Sequence, residues 1–414
     1  MDSTISPART WTIAGLLSVA GFINYFDRAI ISIALPIIGV ELHLGPAAKG
    51  VLLSAFFWSY ALMQLPMGWA ADRVNLRWFY AGAFALWSLA CGFTGFAAGL
   101  GALLAMRAAL GIGESVYMPG GMKIVSVLFS PKDRGLASGI MDCGTRAGLA
   151  IGAPLIALLI RSVGWHHAFF VLGFGSLIWL IPWLAIFPSR VHARPAQPPP
   201  SLTQNLRKFD RNILGMCLGH VSYGYYWYLL VTWLPDYLVE SRHMPLQRAA
   251  AFAVIPYLVF SASEPLGGWI ADRMMRFGYS ERRSRKIVVT VSFFTSLMLL
   301  VAGRLENDLA AVLALGAASL VGLSTGNIYA LVASVAPENS VGMWIGFLQF
   351  SGNVPGVLAP IITGLLIERT GSYYPGFVVA VVVLILGLPS YWLLVSDDKA
   401  VTPRRPVPEP TGGS

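Results

Sequence analysis

Apolar residues run along this chain in long blocks separated by short, mostly basic segments. A membrane-spanning helix needs about 20 mainly apolar residues. By that measure the blocks predict twelve helices, at 11–38, 49–70, 78–98, 101–128, 135–160 and 168–187, then at 212–238, 248–270, 286–303, 309–335, 341–367 and 373–395. The first block starts at Trp11 and contains Asp27 and Arg28, too long and too charged for a signal-peptide core, so it is expected to be the first span. The fifth, tenth and eleventh blocks are rich in Gly, Ala and Ser, which lets helix backbones approach closely in lipid. The fold class expected is an all-α membrane protein.

Composition agrees. Of 414 residues, 56% are hydrophobic and 12% charged, with mean hydropathy +0.65. Soluble domains carry about 25% charged residues, so disorder, collagen and a secreted disulfide scaffold are all excluded. Cys91, Cys143 and Cys217 each sit in an apolar run without metal-ligand spacing. The net charge of +9 matters through its placement. With both termini cytoplasmic, 19 Lys and Arg fall on the cytoplasmic side and six (Lys49, Arg161, Arg242, Arg248, Arg304, Arg369) in outer loops. That bias fits an even number of spans with both ends inside, and the location expected is an inner (plasma) membrane.

The longest connection, with Pro195, Pro198, Pro199 and Pro200 among basic residues, has a linker's composition. It divides the chain into a six-helix bundle at 1–188, a linker at 189–211, a second bundle at 212–396 and a tail at 397–414. The halves repeat. Gly68-Trp69-Ala70-Ala71-Asp72-Arg73 closes the second block and Gly268-Trp269-Ile270-Ala271-Asp272-Arg273 the eighth, 200 residues later, with five of six positions identical. Two related six-helix halves around a cavity is a transporter architecture.

The segment Gly68 to Arg77 resembles the loop signature of the major facilitator superfamily, with Asn75 where that signature has Gly. Asn tolerates left-handed backbone, so the turn is expected to persist. The run Asn24-Tyr25-Phe26-Asp27-Arg28, the stretch from Arg107 to Glu114, Pro119 and Pro131-Lys132-Asp133-Arg134-Gly135 resemble the anion:cation symporter family, which includes proton-coupled carriers of hexuronates and galactonate. The resemblance implies two pseudo-symmetric six-helix bundles. It also implies that Asp27 and Glu114 carry protons, that Arg107 takes part in coupling, and that Tyr25, Tyr60, Asn353 and Thr145 face substrate.

Ionisable groups at membrane depth are costly and mark function by default. Eight fall within the predicted spans: Asp27, Arg28, Arg107, Glu114, Lys123, Asp142, Arg146 and Glu264. Their formal charges sum to zero, a balance that binding one anion with one proton preserves. Asp27 and Arg28 are neighbours, so they point about 100° apart. Arg28, whose planar fork suits carboxylates, is expected to face the cavity, with Asp27 as the proton-sensitive group. Arg107 and Glu114, seven apart, share a face about 10 Å apart along the axis, too far to bond but suited to a relay. Asp142 and Arg146 have the spacing of a local ion pair, and Lys123 is expected to snorkel. Asp72, Arg73, Arg77, Asp272, Arg273 and Glu264 are expected to act as gates that hold neighbouring helix ends.

Tyr223-Gly224-Tyr225-Tyr226-Trp227-Tyr228 places aromatics at mid-depth of the seventh span, where the first half carries Asp27 and Arg28, and Tyr225 and Tyr228 are candidates for the substrate body. Residues 330–335 are largely apolar, which leans toward a less polar or aromatic acid rather than a sugar acid. No nucleotide loop, hydrolase elbow or metal motif is present, so no enzyme is expected, no cofactor beyond the proton as coupling ion, and no nucleic-acid partner. The reading is a monomeric, proton-coupled symporter of a small organic anion in a lipid bilayer. Its competitors are a sugar-acid symporter, an efflux antiporter, which the embedded Arg residues disfavour, and a non-transporting sensor.

Overall fold

The computed structural model describes residues 6–71, 73–129, 134–188, 211–335 and 341–396, and these are almost entirely helical. In the first half they form α1 (Pro7–Glu41), α2 (Pro46–Ala71), α3 (Leu76–Thr94), α4 (Leu100–Glu114, continued by Tyr117–Leu128), α5 (134–163) and α6 (165–186). The second half contains α7 (Arg211–Asp236, continued by Tyr237–Ser241), α8 (Leu246–Arg276), α9 (Glu281–Thr295 and Leu297–Ala302) and α10 (Asp308–Ala318 through Thr325–Val335). It ends with α11 (Val341–Thr370) and α12 (Tyr374–Leu386, continued by Ser390–Leu394). Eight stretches of these helices are long and apolar enough to cross a membrane by composition. The predicted linker up to residue 210, the tail and Asp72 lie outside the described residues, as do the side chains of Asp142 and Arg146, while Arg211 already belongs to α7.

Local chemistry sets the helix ends. The Ser6 hydroxyl accepts from the Arg9 N–H before Pro7 opens α1, and Ser280 and Asn307 cap α9 and α10 in the same way. Asn75 differs from expectation. Its backbone is extended (φ −66°, ψ 110°), and its side chain accepts the Arg77 N–H as the cap of α3. The residue is therefore used as an acceptor, with no left-handed turn. Gly164 does adopt positive φ (79°), and it breaks one continuous helical run into α5 and α6.

Small residues bring α5 onto α1. A Cβ on Gly144 would collide with the Ser18 carbonyl oxygen, and one on Gly148 would lie 2.8 Å from that of Phe22. Between the halves, α2 packs on α11, α1 on α7 and α8 on the run that contains α5 and the start of α6. Outward faces carry exposed Leu62, Ile178, Ile181, Leu386 and Leu393, as a lipid-facing surface requires. Lys49 departs from its expected loop position: it lies in the first turn of α2 and is only 8% exposed.

Candidate functional site

A cavity of ≈ 80 Å³ lies between the halves. The first half lends it Tyr25, Arg28, Phe56, Phe57 and Arg107, and the second Trp227, Tyr228, Val231, Thr232 and Tyr257. Its walls are mainly aromatic and aliphatic, and the two guanidiniums are its positive charges among the described lining residues.

Arg28, on α1, is the cavity-facing member of its pair. Its Nε donates to Glu114 Oε2 at 2.6 Å, and its side chain keeps 19% exposure while that of Glu114 has none. The guanidinium carbon lies 4.5 Å from the Tyr60 ring centre, 4.8 Å from Phe56 and 5.4 Å from Tyr25. Three aromatic faces thus hold the cation by its π-contacts. Phe56 also lies under Arg107, at 5.0 Å. Phe56 and Tyr60 stack one helical turn apart on α2.

Asp27 turns the other way. It is 1% exposed, and its Oδ1 accepts the Cys91 Sγ–H of α3 at 3.2 Å. Its Oδ2 has no hydrogen-bond partner. Arg107 Nη1 donates to the backbone carbonyl of Asp27 at 3.4 Å, so Arg107 touches the α1 backbone beside the acid. The second Glu114 oxygen, Oε1, lacks a hydrogen bond of normal geometry, with fully buried Asn24 as its polar neighbour. The regular hydrogen bonding of α4 is interrupted directly after Glu114, at Ser115 and Val116, whose backbones stay in the helical region. The expected relay between Arg107 and Glu114 therefore has a different direct partner: Glu114 bonds Arg28 across helices.

On the opposite wall, Tyr228 Oη donates to Asn353 Oδ1 at 2.8 Å, and its ring meets Phe57 edge-on at 4.4 Å. Asn353 Nδ2 donates to the Gln349 carbonyl at 3.0 Å and reaches Gln64 Oε1, in the other half, at 3.5 Å. Tyr329 Oη donates to Gln349 Oε1 at 3.1 Å. Amides and phenols therefore run in a chain from the cavity into the second half.

Other expected site residues sit elsewhere. Tyr225 is buried beside Thr363 of α11, outside the cavity lining, because the residues of α7 that face the cavity are Trp227, Tyr228, Val231, Thr232 and Pro235. Thr145 is buried with its methyl beside Gly21 of α1, also outside the lining. Arg77 donates to the Leu184 carbonyl near the end of α6, and Arg9 Nε to Ile186 O at 2.6 Å, so basic side chains do hold that helix end. Arg73 is exposed and Glu264 half-buried. Asp272 and Arg273 are exposed and lie within α8, not in a loop, because the helix runs on to Arg276; the Arg273 guanidinium rests on Phe277 at 5.2 Å.

Comparison with known proteins places the whole chain. The family model of the Major Facilitator Superfamily matches residues 17–328 and 278–412. The D-galactonate transporter of Escherichia coli O6:H1 is 29% identical, covering 97% of this chain and all of its own length. The hexuronate transporter of Bacillus subtilis is 29% identical over 88% of this chain and 89% of its own. A probable sulfoacetate transporter of Cupriavidus necator is 31% identical over 91% of each chain. The fold is also that of a bacterial homologue of the human lysosomal transporter Spinster, solved inward-facing and unoccupied, with TM-score 0.81, 19% identity and coverage of 94% of this chain and 98% of that one.

Proposed function

The chain belongs to the Major Facilitator Superfamily and is a multi-pass membrane transporter rather than an enzyme, and from that premise we propose that it carries a small organic carboxylate together with protons by alternating access. The observation that carries this reading is the Arg28–Glu114 bond at the cavity edge. A guanidinium that fits a substrate carboxylate is held by an internal carboxylate instead. A proton on Glu114 neutralises the competitor and releases the Arg28 fork to the incoming anion. Proton and anion then bind as a unit, because leaving Arg28 without a counter-charge in a buried site is costly. Asp27, with an unpartnered oxygen one residue away and Arg107 on its backbone carbonyl, supplies a second protonation point linked to the same helix.

The mainly apolar walls support a less polar or aromatic acid. A sugar acid is the second reading, favoured by the relatives described as galactonate and hexuronate transporters and by the Tyr228–Asn353 pair, which can meet hydroxyls. With the orientation expected from the basic residues, the termini face the cytoplasm of an inner membrane. Uptake of labelled acids into proteoliposomes tests this. Accumulation should require an inward proton gradient, and a panel of sugar acids, aromatic acids and short carboxylates should separate the two substrate readings. Glu114→Gln should bind and exchange anion yet lose accumulation, and Arg28→Ala should lose binding. Full gradient-driven accumulation by Glu114→Gln, or unchanged affinity in Arg28→Ala, would overturn the mechanism.

A further inference from the structure

At the end of the bundle away from Pro7 and Leu394, the two halves are joined through buried charge that lies outside the cavity lining. Lys49 of α2 donates through Nζ to Asp236 Oδ1 at 3.0 Å and to Glu240 Oε1 at 3.3 Å, both on α7 of the other half. Asp236 is 1% exposed, and its Oδ2 accepts the Tyr373 hydroxyl at 2.6 Å, just before α12. Glu240, one turn beyond Asp236 in the π-helical continuation of α7, reaches outward with 40% of its side chain exposed. The Lys49 stem crosses Gly39 of α1, where a side chain would collide with it.

Beside this cluster the backbones of the two halves almost touch. A Cβ on Gly50 of α2 would sit 2.5 Å from the Pro360 carbonyl oxygen of α11, and one on Gly364 of α11 would sit 2.5 Å from that of Pro46. Charge and close packing therefore coincide at one end of the path. An ion pair that served only to insert a helix would be satisfied within its own half. This one satisfies both of its buried members across the division, and rocking the halves apart at this end must separate them.

We propose that Lys49 and Asp236, braced by Tyr373 and Glu240, form a latch that shuts the transport path at the end away from the termini and has to break for the path to open there. The inference rests on the alternating-access part of the proposed function, but on neither the substrate nor the coupling ion. Opening must strip a buried ammonium of its carboxylate unless both reach water as they part. The latch is thus strong only while that end is dry. Glu240, already at the rim, gives the ammonium a wet partner on the way out.

Double electron–electron resonance on protein in lipid nanodiscs, without substrate, tests the latch. Spin labels go on Val40→Cys, 72% exposed on α1, and Glu306→Cys, exposed before α10, in a background with Cys143→Ser and Cys217→Ser and with buried Cys91 retained. Lys49→Met and Asp236→Asn should each raise the ratio of the longer to the shorter distance population about tenfold or more, the order expected when one partner of a buried charge pair is neutralised. Lys49→Met strips Asp236 of its cation and can cost the fold, so Asp236→Asn, which leaves Lys49 its bond to Glu240, is the deciding variant. A folded, monodisperse Asp236→Asn protein with the parent's distance distribution overturns the latch. Failure of anion uptake would instead overturn the proposed substrate and leave this measurement standing.

Discussion

Two guanidiniums flank the Phe56 ring, and they are used differently. Arg28 is paired with Glu114 and faces the cavity, whereas Arg107 leans on the carbonyl of Asp27. If Arg28 is the anion ligand, its planar fork and its aromatic bed should both matter. Arg28→Lys keeps the charge but replaces the fork with a compact, strongly hydrated ammonium that stacks poorly. Anion affinity, read by calorimetry, should then fall roughly 10- to 100-fold, the equivalent of losing a charge-assisted hydrogen bond of about 1.5–3 kcal/mol. Parent affinity in the Lys variant would show that a point charge suffices. Charged residues at membrane depth could be read from the sequence, because lipid makes each one conspicuous. So could the opposed directions of Asp27 and Arg28, because adjacent helix residues diverge. The Arg28–Glu114 bond could not, since it depends on how α1 and α4 slide past one another. Nor could Phe56: a phenylalanine in an apolar block carries no mark of the cation it supports.

Helix spans were legible because the bilayer fixes their length, and their packing was partly legible through small residues. The Gly-rich fifth block does approach α1 closely, at Gly144 and Gly148. What the pattern left hidden were the irregularities: the interruption of α4 after Glu114, the π-helical end of α7, and the extra turn that places Asp272 inside α8. These cost little in hydropathy and so leave no trace in it. The α1–α5 seam carries a prediction of its own. At Gly144 the obstacle to a side chain is the Ser18 backbone carbonyl, which cannot rotate away. Gly144→Ala should therefore force the helices apart within one half and destabilise the protein by about 1–3 kcal/mol, the usual size of an overpacking penalty. The check is a lower midpoint of thermal unfolding in detergent; an unchanged midpoint would mean that the seam yields freely.

The same kind of wedge should act differently where it lies between the halves. Gly364 of α11 meets the Pro46 carbonyl oxygen of α2 as tightly as a helix seam inside one bundle, yet under the proposed alternating access the partners belong to bodies that separate. Inside a half, a wedge has no relaxed state to reach, so its strain remains in the fold. Between halves, the strain is relieved by the opening motion itself, and it favours whichever conformation parts this end. Gly364→Val should consequently leave the thermal midpoint closer to the parent's than Gly144→Ala does. It should also increase the longer distance between labels at residues 40 and 306, in the same direction as Asp236→Asn. Substrate bound to the closed form would then meet a smaller competent fraction, and its apparent affinity should fall in proportion to that fraction. If Gly364→Val instead lowers the midpoint as far as Gly144→Ala and leaves the label distances alone, α2 and α11 belong to one rigid body at this end. The division of the molecule into two rocking halves would then have to be drawn elsewhere.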